Sequence, residues 1–316
     1  MKNFADELVK RIEELDNPTV MGLDPRLDYV PQEIQTKWMM EYPTNNDKAT
    51  AEAIYEFNCG LIESVCDMVP AVKLQIAYYE MYGVRGIEVF KRTIDYARAH
   101  GMLVIADAKR NDIGSTAQAY AEALIGKTLL NDGVEEVKFG ADAVTVNGYL
   151  GIDGVKPFID VCKRDGRGIF TLVRTSNPSA ADLQDLELKD GRTVYQAMAD
   201  SVNDWGKDLI GESGFSSVGA VVGATVPQQA VEARKRMPNA LILVPGYGAQ
   251  GAGPDAAVAS FTKDGRGSIV NASRSLMCAW KNSTEFKPKQ FMKATRQEAI
   301  SMKTLLGVAL QNRKYV

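Results

Sequence analysis

Histidine, paired cysteines and long apolar runs are what this sequence has least of. The single histidine is His100 in 316 residues. A Ser-His-Asp or Cys-His nucleophile is therefore excluded unless His100 serves it. The four cysteines, Cys59, Cys66, Cys162 and Cys278, form no Cys-x-x-Cys pair, so a Cys/His zinc site is not expected. They read as reduced thiols of a protein that resides in the cytoplasm. No apolar run approaches the ~20 residues that cross a bilayer, and the opening MKNFADELVKRIEELD has no apolar signal core. Membrane partners are not expected. Excess basic charge is absent too: 37 Lys+Arg face 40 Asp+Glu, for a net charge of −3. That argues against a nucleic-acid partner held by bulk basicity. Disorder is excluded by composition, with 45% hydrophobic and 24% charged residues.

What is present is a recurring pattern. Short β-rich runs occupy 19–24, 71–75, 103–109, 143–147, 168–174, 217–223, 241–246 and 268–273. Most are continuously apolar, the mark of strands covered on both faces and hence of a parallel sheet. Helical periodicity appears between them at 51–68, 84–100, 117–130, 193–210 and 227–236, and closes the chain at 288–310 with Pro288 at its start. Phe4, Leu8, Ile12 and Leu15 recur at helical spacing in the first segment. The expected fold is α/β, a single-domain (β/α)8 TIM barrel over residues 1–316 with an N-terminal helix and a long C-terminal helix. A doubly wound open sheet is the rival, weakened because no Gly-x-Gly-x-x-Gly follows the first strand. No low-complexity linker divides the chain. The polar segments 24–48 and 176–192 both follow strands, so in a barrel they lie at the carboxyl rim, where active sites are built.

The most informative stretch is IADAKRNDIGSTAQAY at 105–120. A buried parallel strand should end apolar, yet this one ends Asp107-Ala108-Lys109. Residues i and i+2 share a face, so Asp107 and Lys109 project into the barrel mouth while Ala106 and Ala108 face the helices. Asp112 follows in the turn, and two carboxylates around one ammonium are expected to keep Lys109 charged. Strand two carries Lys73, and strand one ends in Asp24. Four charges on three neighbouring strands are costly to bury without a partner or a task.

These residues resemble a known family. Asp107-Ala108-Lys109-Arg110-Asn111-Asp112-Ile113 with Thr116 is similar to the D-x-K-x-x-D-I-x-x-T signature of the orotidine 5′-phosphate decarboxylases. Gly22-Leu23-Asp24-Pro25 resembles that family's first strand. Val72-Lys73 with Ala77-Tyr78-Tyr79-Glu80 resembles its second. Pro245-Gly246-Tyr247-Gly248-Ala249-Gln250-Gly251 resembles its seventh-strand loop, and 267–274 its eighth. The 174–178 run Arg-Thr-Ser-Asn-Pro is like the longer branch of the family. The resemblance implies conversion of orotidine 5′-phosphate to uridine 5′-phosphate and carbon dioxide, the last step of de novo UMP synthesis, without metal or other cofactor. It implies Lys109 as charge stabiliser and proton donor, with Asp107 beside the departing carboxylate. Lys73 and Asp24 would bind ribose hydroxyls. It further implies a homodimer in which Asp112 and Thr116 reach into the neighbouring subunit's site.

Loss of carbon dioxide from C6 leaves an electron pair in the ring plane that the ring π system cannot delocalise. Stabilisation must then come from fixed charge placed where charge develops. A phosphate site is legible independently. Gly246, Gly248, Gly251 and Gly253 crowd the loop after strand seven, and Arg274 follows strand eight, the two places where barrels bind phosphate. Pro245, Gln250 and Gly251 are the substrate-binding candidates of that loop, with Gln250 expected to bridge phosphate and pyrimidine. Ser176 is expected to meet the pyrimidine, with Thr175 beside it as the alternative. A metal-dependent sugar-phosphate aldolase or epimerase is the rival chemistry, and Lys73 on strand two repels the cation it needs. A nucleotide-binding barrel without activity is the other rival. His100 before Gly101 reads as a helix C-terminal partner, the cysteines as core, and Trp38-Met39-Met40 as packing beneath a loop.

Overall fold

A computed structural model describes residues 3–248 and 251–313. Eight parallel strands form a closed barrel: β1 (Thr19–Leu23), β2 (Ala71–Gln75), β3 (Leu103–Arg110), β4 (Ala143–Val146), β5 (Gly168–Arg174), β6 (Ser216–Val222), β7 (Ala240–Val244) and β8 (Ser268–Ala272). Each pairs with its neighbours in sequence, and β8 returns to β1 through Thr19 opposite Val270. The fold is therefore the (β/α)8 TIM barrel, and the open sheet is excluded by this closure.

The two-residue period of the strands divides the core in two. Val20, Ala71, Ile105, Ala143, Phe170, Leu241 and Ile269 fill the barrel interior. Their neighbours Met21, Val72, Val104, Ala106, Val144, Ile169, Ile242 and Val270 face the helices. Helix Phe4–Leu15 seals the amino ends of the strands. Asn3 caps it by accepting from the Ala5 and Asp6 amides at 2.8 and 3.2 Å. Phe4 meets Phe170 edge-on at 6.0 Å. A Cβ at Gly168 would lie 2.2 Å from the Phe4 ring, so the glycine makes room for the plug.

Helices Asn46–Val65, Gly83–Ala99 and Pro227–Arg236 lie where periodicity places them. Three segments differ. The 117–130 segment is helical only over Gly114–Leu124 and then enters a small hairpin, Thr128–Leu129 with Glu135–Glu136. The 193–210 segment is helical over Val194–Trp205 and tightens into a 3-10 turn, Lys207–Leu209. The closing helix begins as a 3-10 turn, Pro288–Gln290, before Phe291–Gln311. Besides several one-turn helices, two longer helices among the described residues were not expected: Gln32–Glu41, inside the 24–48 rim segment, and Ile152–Asp165 after β4. Met39 and Met40 are 57% and 76% exposed, so they are surface rather than packing beneath a loop. Trp38 alone is half-buried, stacked on Tyr42. His100 ends helix Gly83–Ala99 with Nδ1 2.8 Å from the Tyr96 carbonyl. All four cysteines are free, and burial pushes the Cys59 and Cys278 thiols up to about 11. Among the described residues no helix is long and apolar enough to cross a membrane.

Candidate active site

A cavity of about 810 Å³ opens at the carboxyl ends of the strands, lined among others by Asp24, Lys73, Asp107 and Lys109. β1, β2 and β3 are adjacent in the barrel, and their polar ends converge into one chain of charge. Lys73 Nζ lies 2.8 Å from Asp107 Oδ2 and 3.4 Å from Asp24 Oδ1. Lys109 Nζ lies 2.6 Å from Asp107 Oδ1. Asp107 thus bridges two ammonium groups. Its carboxylate also accepts from Gln75 Nε2 at 3.1 Å and from the Thr145 hydroxyl at 2.8 Å. Burial alone would raise its pKa, but Lys73 and then Lys109 outweigh burial and hold the carboxyl well below the usual range. Burial likewise opposes the Lys73 ammonium, and Asp107 and Asp24 outweigh it, raising the Lys73 pKa. Asp107 is therefore a fixed anion.

The sequence expectation for Lys109 needs one correction. The carboxylates flanking a single ammonium are Asp24 and Asp107, and the ammonium is Lys73. Asp112 lies in the turn beyond β3, where its Oδ1 accepts from the Ile113 amide at 2.8 Å. Thr116 is exposed on helix Gly114–Leu124. Neither lines this chain's cavity. Lys109 also leaves strand geometry, with φ at +47°.

The opposite wall is the loop after β5, with Thr175, Ser176 and Asn177 on the cavity. Arg174, 7% exposed, anchors it through Gln229 Oε1 at 2.7 Å and Asp185 Oδ2 at 3.1 Å. Gln184 clamps Thr175 twice, accepting from its amide at 2.9 Å and donating to its hydroxyl at 2.8 Å. That hydroxyl donates onward to Asn177 Oδ1 at 2.6 Å, so it is spent inside the loop. A Cβ at Gly223 would lie 2.7 Å from Ser176 Cβ, so the glycine just after β6 lets Ser176 approach the mouth.

Pro245, Gly246 and Tyr247 line the third side, and Arg274 and Asn271 complete it. The loop after β7 turns tightly, with the Gly251 amide donating to the Gly248 carbonyl at 2.9 Å. Gly246, Gly248 and Gly251 have φ of 101°, 68° and 90°, a region open to glycine and strained for other residues. Gly251 belongs to this turn and not to the cavity lining. Gln250 lies outside the described residues.

A family model described as "Orotidine 5′-phosphate decarboxylase / HUMPS family" matches residues 44–287, which include Lys73, Asp107, Lys109 and Arg274. The chain belongs to this family. Among curated members, the orotidine 5′-phosphate decarboxylase of Rhodopirellula baltica is 42% identical over 281 residues, covering 89% of this chain and 90% of its own. That of Clostridium perfringens strain SM101 is 38% identical over 307 residues, covering 97% and 99%. Among solved structures, Leishmania donovani OMP decarboxylase superposes with a TM-score of 0.70 at 29% identity, covering 96% of this chain and 99% of that one.

Within the family site, several lining residues were not singled out from sequence. Gln75 was legible, because it shares a face with Lys73 two positions earlier. Thr145 and Asn271 are polar interruptions of the apolar runs of β4 and β8. Gln184, Tyr29 and Tyr78 carry no local signal. His100 and Asn147, which ends the fourth run, do not reach the cavity.

Proposed function

We propose that this enzyme decarboxylates orotidine 5′-phosphate to uridine 5′-phosphate and carbon dioxide, a reaction of pyrimidine biosynthesis. The observation that carries the reading is the chain Asp24, Lys73, Asp107, Lys109 held in the cavity mouth by three adjacent strands. The substrate's C6 carboxylate faces Asp107, a fixed anion. The C6–carboxylate bond breaks, its electron pair stays on C6, and carbon dioxide leaves. The Lys109 ammonium stabilises that pair and then transfers a proton to C6, leaving a neutral amine that regains its proton from water. Preorganised charge is the strongest stabilisation open to a reaction with no internal electron sink. Lys73 and Asp24 hold ribose hydroxyls. Ser176 meets the pyrimidine, supported by the engagement of the neighbouring Thr175 hydroxyl within its own loop. Pro245, Gln250 and Gly251 bind substrate, with Gln250 bridging phosphate and pyrimidine, and Arg274 holds the phosphate. The metal-dependent alternative would put a cation between Asp24 and Asp107, where Lys73 Nζ already lies. The enzyme acts in the cytoplasm as one barrel domain over residues 1–316, with a nucleotide substrate and without cofactor, membrane or nucleic-acid partners. Consumption of orotidine 5′-phosphate, followed by absorbance, tests the reading, and no turnover by the folded protein overturns it.

The active form is a homodimer with shared sites. Asp112 and Thr116 lie outside their own cavity, and apolar Ile113 between them in the chain is 55% exposed. An isologous contact would cover this rim and deliver Asp112 to the neighbouring mouth. Inactive Lys109→Ala and Asp112→Ala enzymes, mixed equally and allowed to exchange subunits, should regain activity. Half of the dimers would be mixed, each with one intact site, so recovery approaches about one quarter of wild type. No recovery after exchange confirmed by mass would assign Asp112 to its own subunit.

A further inference from the structure

We propose that Thr145 is a positioning residue for Lys109: its hydroxyl holds the lysine backbone in a left-handed conformation and fastens it to Asp107. The inference rests on the role given to Lys109 above. Among the described non-glycine residues only Asp16 and Lys109 have positive φ. Asp16 ends a helix, where a left-handed residue is common. Lys109 lies inside a strand, where it is not.

The cause lies in the pairing of β3 with β4. Ala106 faces Val144 and Arg110 faces Val146, so the residues from 107 to 109 bulge opposite Thr145 alone. Such bulges re-aim side chains beside active sites. Removed from the regular ladder, the Lys109 amide donates to Thr145 Oγ1 at 3.0 Å. The same hydroxyl donates its one hydrogen to Asp107 Oδ1 at 2.8 Å. That is the carboxylate oxygen reached by Lys109 Nζ at 2.6 Å. A buried hydroxyl therefore closes a ring through the lysine amide, the lysine ammonium and the aspartate. Thr145 is 1% exposed, so water does not stand in for it.

The consequence is directional. With the backbone pinned and one carboxylate oxygen shared, Lys109 Nζ is confined to one approach into the cavity. When its proton passes to C6, Asp107 loses an ionic partner, while Thr145 and Gln75 still satisfy it. A hydroxyl one strand away thus supplies rigidity that the half-exposed lysine lacks.

The test compares Thr145→Val, which keeps the shape and removes the hydroxyl, with Thr145→Ser, which keeps the hydroxyl. We expect Thr145→Val to lower kcat about 10- to 100-fold, the scale of a misplaced reacting group. KM and the Kd of uridine 5′-phosphate should stay within about twofold, since ribose and phosphate contacts lie elsewhere. Thr145→Ser should recover kcat to within about threefold of wild type. An unchanged kcat in Thr145→Val overturns the inference, as does a common fall of kcat and 1/KM that serine fails to rescue. Should the valine variant not fold, Thr145→Ala replaces it: alanine slow and serine active supports the role, and equal rates overturn it. Lys109→Ala run alongside separates the two claims. If it is nearly inactive while Thr145→Val is unaffected, only the positioning role fails. If Lys109→Ala remains active, the reading of Lys109 fails first.

Discussion

At the carboxyl end of the barrel Lys73 is buried, 5% exposed, between the carboxylates of Asp24 and Asp107. At the amino end Arg234 is buried to a similar degree, 8% exposed, but among neutral oxygens. It donates to the carbonyls of Ser260, Met237, Pro238, Ala240 and Gly267 and to the Ser268 hydroxyl. Burial lowers its pKa, and Asp264 opposes this only through space. The two cations solve the same desolvation problem differently. Arg234 spends its donors tying the starts of β7 and β8 to the preceding helix and loops, and nothing is left for a ligand. Lys73 is matched to carboxylates that themselves face an open cavity, so its field extends into the site. The amino end is closed by Phe4, Leu8 and Val9 and holds the barrel together. The carboxyl end is left open and charged, which costs stability and confers chemistry.

This division can be broken in graded ways. The largest effect belongs to the open end. Lys109→Ala should lower kcat by at least the ~10²–10⁴-fold of general acid catalysis, with added electrostatic loss. Uridine 5′-phosphate titration should still show binding, and the melting temperature should change little. More than about a tenth of wild-type kcat would remove Lys109 from its role. The next effect belongs to the closed end. Arg234→Met removes a charged donor from five carbonyls, of which those of Ser260, Met237 and Gly267 keep a second donor, and should cost ~3–5 kcal/mol in denaturant unfolding. The kcat of the folded enzyme should stay at wild-type level. A changed kcat with an unaltered unfolding midpoint would contradict the separation of the two ends. Smaller again is the phosphate contact. Arg274→Ala should lower kcat/KM by ~1.5–3 kcal/mol for the nucleotide. A substrate lacking phosphate should be insensitive, and equal losses on both would make Arg274 a folding residue.

The smallest expected effect is one of pH. The Asp107 carboxyl lies below its ordinary value and the Lys73 ammonium above its own. The Asp107 share of stability is complete above the unfolded pKa of ~3.9 and is lost as pH falls through the folded value. The Lys73 share is complete below ~10.4 and is lost as pH rises through its folded value. Between pH ~5 and ~9 the difference in unfolding free energy between wild type and a Lys73→Met, Asp107→Leu variant should therefore be flat. A step inside that window would mean that the charge chain titrates where the enzyme works.

Much of the site was legible because it breaks the rules of its own elements. A charge in an apolar strand is conspicuous, and Asp24, Lys73, Asp107, Lys109 and Arg274 all border the cavity. Helix Ile152–Asp165 is masked in the sequence: Val155, Phe158, Ile159 and Cys162 follow helical spacing, but Pro157 interrupts the pattern. Helix Gln32–Glu41 buries only Ile34, so it has almost no apolar stripe to read. Gln184 was illegible for another reason: it reaches Thr175 from nine positions on, at the end of the one-turn helix Ala181–Gln184, and the closure of the intervening loop has no period.

Continuous apolar runs in alternation with helical segments were enough to determine a parallel α/β sheet, since only burial on both faces explains such strands, and the pairing of β8 with β1 decided that the sheet closes into a barrel. The Asp-x-Lys strand end likewise determined that Asp107 enters the mouth, because a period of two puts it on the face of Ile105. Which carboxylate holds which ammonium was decided only in three dimensions, by the stagger of β1, β2 and β3 that puts Asp107 between Lys73 and Lys109. The left-handed turn at Lys109 was likewise a tertiary decision. It arises from the register break against β4, and a strand's own sequence does not encode how its neighbour pairs with it.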